Sequence, residues 1–185
     1  MVRNKSTMFI LLVPALILLV PLVAMQFTNE VVWGPIDFAV AWLVMAGTGF
    51  AYKLATRRTD NPVYRIAAAL ALAGAFLLIW INLAVGLIGS EDNPANLMYF
   101  GLLALGIIGA FIARSRADGM ARTLVAMAIA QGLIAVITLS AGLGSEGENW
   151  PQVIVVLNGF FAALWLISAW LFRQAARERN LLSAS

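Results

Sequence analysis

The sequence predicts an all-α protein, a polytopic membrane helix bundle of six transmembrane helices arranged as three tandem helical hairpins. Three observations predict it. Hydrophobic residues make up 62% of the chain and charged residues only 11%, where a soluble domain carries about 45–50% apolar and roughly 25% charged residues. Apolar runs long enough for a hydrocarbon layer about 30 Å thick recur six times. All twelve Lys and Arg fall on one side of those runs, in the two terminal segments and in or beside alternate links. Six spans of about 20 residues use roughly 120 residues, so residues 1–185 read as a single transmembrane domain with short links.

The first span covers about 8–25, behind a start that carries Arg3 and Lys5. A basic start and a short apolar run also describe a secretory signal, but no A-x-A cleavage pattern follows, so the run is read as a span. Pro14 and Pro21 lie inside it and each removes a backbone donor, which predicts a bend. The second span covers 36–55, opening at Trp33-Gly34-Pro35. The third, 63–88, is opened by Asp60-Asn61-Pro62 and closed by Gly86. The fourth, 95–113, follows Asn93-Pro94. The fifth covers 120–143 and the sixth 152–172, after Asn149-Trp150-Pro151. Residues 173–185 extend it as a basic, partly amphipathic tail at the membrane surface. The punctuation has a common logic: Gly suits the left-handed residue after a helix, Asn caps the next one, and Pro is preorganised for its first turn.

Charge sets the expected topology. Arg3, Lys5, Lys53, Arg57, Arg58, Arg65, Arg114, Arg116, Arg122, Arg173, Arg177 and Arg179 all fall on one side of the six spans. The other side carries Glu30, Asp37, Glu91, Asp92, Glu146 and Glu148, six of the nine acids. Short cytoplasmic links hold the Lys/Arg excess, so both termini are expected in the cytoplasm of a protein of the plasma (inner) membrane. The pI of 9.8 is then a by-product of topology. Membrane lipid is the partner it implies, and no nucleic acid is expected.

Aligning Arg65 with Arg122 brings Gly86-Leu87 beside Gly142-Leu143 and Asn93-Pro94 beside Asn149-Trp150-Pro151, an internal repeat of about 57 residues. The first hairpin fits less well, since its glycine turn is missing. Three tandem hairpins are also found in mitochondrial carriers, but the P-x-[DE]-x-x-[KR] signature of that family does not end the odd spans. Asn93-Pro94-Ala95 resembles the N-P-A box of the aquaporins, which carry two copies where this chain has one. Asp60-Asn61-Pro62 repeats the acid-Asn-Pro order on the opposite side. Both stretches are therefore read as helix caps.

Two sets of residues are candidates for function. Glu30, Asp37, Glu91, Asp92, Glu146 and Glu148 would make a negative vestibule for cations if the three acidic loops converged; acids near helix N-termini also simply favour the dipole. Asn82, Thr138 and Asn158 lie roughly 10–14 Å below those loops at 1.5 Å per residue, with Gln131 deeper. They could form one polar layer or pocket, or serve as interhelical hydrogen bonds. Small residues at four-residue spacing, Gly47 with Ala51, Ala71 with Ala75, Gly106 with Ala110 and Ala128 with Gly132, are expected to let helices approach closely. Trp33, Trp150 and Trp170 are placed at the interfaces and Trp42, Trp80 and Trp165 deeper.

What is missing narrows the chemistry. The chain has no cysteine and no histidine, so no disulfide, thiolate or Cys-type zinc site is expected, and the commonest haem ligand and proton shuttle are lost. No G-x-S-x-G, H-E-x-x-H or phosphate-loop motif is found. Neither an enzymatic activity nor a cofactor or metal is expected. The expected function is that of a non-catalytic multi-pass membrane protein acting by helix packing and lateral association, as an accessory, assembly or self-associating subunit in a homo-oligomer or larger complex. The alternative is a small channel or carrier for a cation or small solute.

Overall fold

The computed structural model describes residues 2–28, 32–147 and 149–184. Among them every regular element is helical. Six helical segments are long and apolar enough to cross a membrane: Lys5–Ala24, Pro35–Thr56, Pro62–Ala84, Pro94–Ala113, Ala117–Ser140 and Gln152–Arg179. The chain divides into two compact units, Met1–Leu54 and Ala55–Ser185.

The first unit holds α1 (Val2–Ile17), α2 (Leu19–Ala24) and all but the end of α3 (Pro35–Thr56). The break between α1 and α2 follows from Pro21, which has no N–H to offer the carbonyl of Ile17 four residues earlier. Leu18 stays near the helical region at φ −70° and ψ −11°. Its N–H donates to Pro14 O at 3.0 Å and its carbonyl accepts from Leu22 N at 3.3 Å. The predicted bend is thus a local loosening within one apolar segment. Pro35 opens α3, and the Asp37 carboxylate accepts from Gly34 N at 2.7 Å, a bond that closes its first turn. Contacts that join α1 to α3 include Trp42 Nε1 donating to Leu11 O at 3.2 Å, Lys53 Nζ donating to Thr7 Oγ1 at 2.6 Å, and Ile10 lying over Gly49.

The second unit is a four-helix bundle of α4 (Pro62–Ala84), α5 (Leu97–Ala113), α6 (Ala117–Ser140) and α7 (Gln152–Ala184). The expected caps form. Asn61 accepts from Tyr64 N at 2.9 Å and Asn93 from Ala95 N at 3.0 Å, each followed by Pro in the first turn. Asn93 opens a single 3-10 turn, Pro94–Asn96, and α5 follows from it.

Packing departs from a chain of equal hairpins. α6 packs against both α5 and α7, and α7 also packs against α4, while α4 and α5 touch only sparingly although they are consecutive. The core is centred on α7, where Phe161, Trp165 and Phe172 are completely buried. Tyr64 meets Phe172 edge-on at 4.9 Å, and Ser168 Oγ donates to Ala67 O at 2.8 Å, so a polar and an aromatic contact both join α7 to α4. Gly74 leaves room for the Trp165 ring, which lies 3.0 Å from where a Cβ would stand.

The third and fifth helices differ from the expected spans by up to four residues at their ends, and one expectation, on the small residues, is corrected. The third helix ends at Ala84 rather than 88 and the fifth at Ser140 rather than 143, because Gly86 and Gly142 take φ of 71° and 65° and turn the chain earlier. The fifth also begins earlier, at Ala117 rather than 120. Among the small residues, Gly106 does lie at a close approach, but with Gly109 one turn on: these two positions face Met127 and Thr123 of α6. Gly47 and Gly132 face open space, with nothing within 4 Å of where a Cβ would stand. Four-residue spacing shows which residues share a helix face; it does not show which face meets a neighbour.

Candidate functional site: a buried amide cluster and the acidic loops

In the second unit α5, α6 and α7 each carry a polar side chain into the core. Gln131 on α6 donates through Nε2 to Asn158 Oδ1 on α7 at 2.8 Å. Tyr99 of α5 lies against the same amide, its hydroxyl 3.2 Å from Oδ1 and 3.1 Å from Nδ2. Asn158 Nδ2 also donates to Ile154 O at 2.9 Å, one turn back on its own helix. The chain of bonds ends at Trp165, whose Nε1 donates to Gln131 Oε1 at 3.2 Å. Tyr99, Gln131 and Trp165 are fully buried and Asn158 is 3% exposed.

Both heteroatoms of each amide are engaged. Gln131 and Asn158 are held in single orientations because each would otherwise leave a buried polar group unpaired, at about 1–3 kcal/mol. The cluster can therefore fix the register of three helices. Apart from the Tyr99 phenol, its members are two amides and an indole, which carry no charge.

Asn82 does not join this cluster. Its Nδ2 donates to Asn96 O at 3.2 Å, at the end of the 3-10 turn. Thr138, on the same face of α6 as Gln131 and two turns nearer the acidic loops, is fully buried, and its hydroxyl has no hydrogen-bond partner among the described residues. Of the four residues expected in one layer, then, two are bonded together, one is a loop support and one stands apart. Tyr99 and Trp165 are the members that the polar-residue pattern missed. Both carry one polar atom on a mostly apolar body, so they sit in apolar runs without disturbing them.

The loop at residues 85–93 is organised by Asn96. Its Oδ1 accepts from Leu87 N at 3.0 Å and Ile88 N at 2.9 Å, while its Nδ2 donates to Ser90 O at 2.7 Å and Ile88 O at 3.3 Å. One buried amide thus replaces a turn of helix for backbone that has left α4. This loop touches its counterpart at 141–151. Gly144 sits so close to Gly89 that a Cβ would lie 2.6 Å from the Gly89 nitrogen.

The acidic residues are distributed as follows. Glu91, Asp92 and Glu146 are exposed on these two touching loops. Asp37 belongs to the first unit and its carboxylate closes the first turn of α3. Glu30 and Glu148 lie outside the described residues. Among the described residues, no group of three His, Cys, Asp or Glu side chains is placed to hold a metal ion.

No protein-family model matches the chain, and neither a curated protein nor a solved structure matches it.

Proposed function

We propose that this chain is a non-catalytic, multi-pass integral membrane protein that acts by helix packing and lateral association, its basic end and both termini in the cytoplasm. The observation that carries the proposal is the inverted distribution of polarity. Large apolar side chains face outward, with Phe111 81%, Ile112 78%, Val156 66% and Ile129 61% exposed, whereas the amides of Gln131 and Asn158 are buried and paired. In water such a surface would far exceed the few hundred Å2 of contiguous apolar area usual on a monomer. Against hydrocarbon it is the expected face, and polar groups turn inward. The association reading is supported by an amide cluster whose hydrogen bonds are turned on one another, a way to hold three helices rigid for docking laterally.

Transport of a cation or small solute is the alternative, and one observation favours it: the Thr138 hydroxyl is buried without a partner. Flux into proteoliposomes separates the two. The expected result is no ion or solute movement above empty vesicles, together with discrete higher-order species on crosslinking in native membranes. Flux that Asn82→Leu or Asp37→Ala abolishes would overturn the association reading.

A further inference from the structure

At the basic end of the second unit, α6 and α7 part around a cleft of about 250 Å3 lined by Asp118, Ala121, Arg122, Arg173, Ala176 and Arg177. Its base is made of small side chains, since Ala121 is 1% and Ala176 5% exposed. Its walls carry three exposed guanidiniums and one carboxylate. Asp118 forms no ion pair with any of the three arginines among the described residues. The neighbouring acid on α7, Glu178, is turned away, accepting from Asn61 Nδ2 at 2.8 Å. The cleft therefore keeps an excess of two positive charges and planar donor groups suited to a bidentate anion.

The surface above the cleft indicates which anion fits. Ile167, Trp170, Arg173 and Arg177 follow one another at three- and four-residue spacing, so they share one stripe of α7. Ile167 and Trp170 are 50% and 57% exposed. Along that stripe the surface passes from apolar, through an aromatic with a polar edge, to guanidinium within about three turns. This is the order of an acyl chain, a glycerol backbone and a phosphate at a membrane boundary, where basic pockets between helices hold anionic headgroups.

We infer that Arg122, Arg173 and Arg177 form a discrete binding site for the phosphodiester of one anionic phospholipid headgroup, with its acyl chains laid along Ile167 and Trp170. The site rests on the membrane reading above and adds to it a stoichiometric lipid at a defined place. Asp118 opposes the bound charge, so it sets an upper limit on affinity without contributing to it.

The test is native mass spectrometry of the full chain released from vesicles of phosphatidylcholine mixed with phosphatidylglycerol. The wild-type protein is expected to retain one phosphatidylglycerol per chain. The Arg173→Gln/Arg177→Gln variant should retain it about 30-fold more weakly, at roughly 1 kcal/mol for each arginine. Arg57→Gln/Arg58→Gln, which removes as much charge outside the cleft, should leave retention unchanged, and Asp118→Asn should leave it equal or tighter. Equal losses in the two double variants would reduce the effect to diffuse charge and overturn the site. Loss in Asp118→Asn would do the same. Displacement of the lipid by millimolar inorganic phosphate would show a free-anion site and overturn the lipid assignment. Extraction of the same samples at alkaline pH reads membrane integration separately: a chain that stays in the bilayer but keeps no lipid refutes the cleft alone, whereas an extracted chain refutes the membrane reading and the site with it.

Discussion

Gln131 Nε2 stands 2.8 Å from Asn158 Oδ1 in the fully buried centre of the second unit, and this pair joins α6 to α7 with Tyr99 and Trp165 at its two ends. Among the described residues, the other buried amides, Asn82 and Asn96, bond only to the loop and turn between α4 and α5. Removing one partner is therefore felt by the others.

Asn158→Leu takes the acceptor from Gln131 and the amide from Tyr99 together. The expected loss is about 1–3 kcal/mol, the cost of leaving buried groups unpaired. A double-mutant cycle with Gln131→Leu should give a smaller coupling, about 0.6–1.7 kcal/mol, because helices separated within a bilayer find other partners. Thermal unfolding in detergent measures both, and a stability equal to wild type in Asn158→Leu would show that the amides do not hold the packing together.

Asn96 and Asn93 are three residues apart and differ in reach. Asn93 caps one amide, whereas Asn96 holds four groups of the preceding loop. Hydrogen exchange at the Leu87 and Ile88 amides should accelerate by at least about tenfold in Asn96→Ala, equivalent to about 1.4 kcal/mol of lost protection, and hardly change in Asn93→Ala. Asn96→Asp keeps the acceptor and loses the donor, so those two amides should stay protected while the loop loosens at Ser90.

Two glycines separate close approach from open space. A Cβ at Gly109 would overlap the Thr123 side chain, and one at Gly132 meets nothing within 4 Å. Gly109→Ala should lower the unfolding temperature by forcing α5 from α6, at about 1–3 kcal/mol for overpacking. Gly132→Ala should raise it, by up to about 1 kcal/mol from helix propensity. Opposite signs in the same thermal assay are the expected outcome; two losses would mean that Gly132 is itself covered by a neighbour in the membrane.

The chain contains no cysteine, so single thiols report topology directly. With a membrane-impermeant maleimide on intact spheroplasts, Ser90→Cys and Ser145→Cys on the acidic loops should label. Thr59→Cys, in the basic link before α4, should label only after lysis. The reverse pattern would invert the orientation expected from charge.

Segmentation was largely legible. The six apolar segments and the two Asn-Pro caps are local properties: period, capping chemistry and the fixed φ of proline act within a few residues, and Asn61 and Asn93 behave as that chemistry requires. Charge asymmetry is local too, because it is counted link by link.

Only the tertiary structure decided which polar groups meet. Asn82, Gln131, Thr138 and Asn158 look alike along the chain, yet one supports a loop, two bond each other and one is left alone. The choice depends on helix rotation and neighbour, and here α6 and α7 take the centre while α4 and α5 barely touch. A helix that is apolar on nearly every face carries no strong stripe to announce its buried side. Contacts between residues such as Gln131 and Trp165, 34 positions apart, are set by packing that no local pattern encodes.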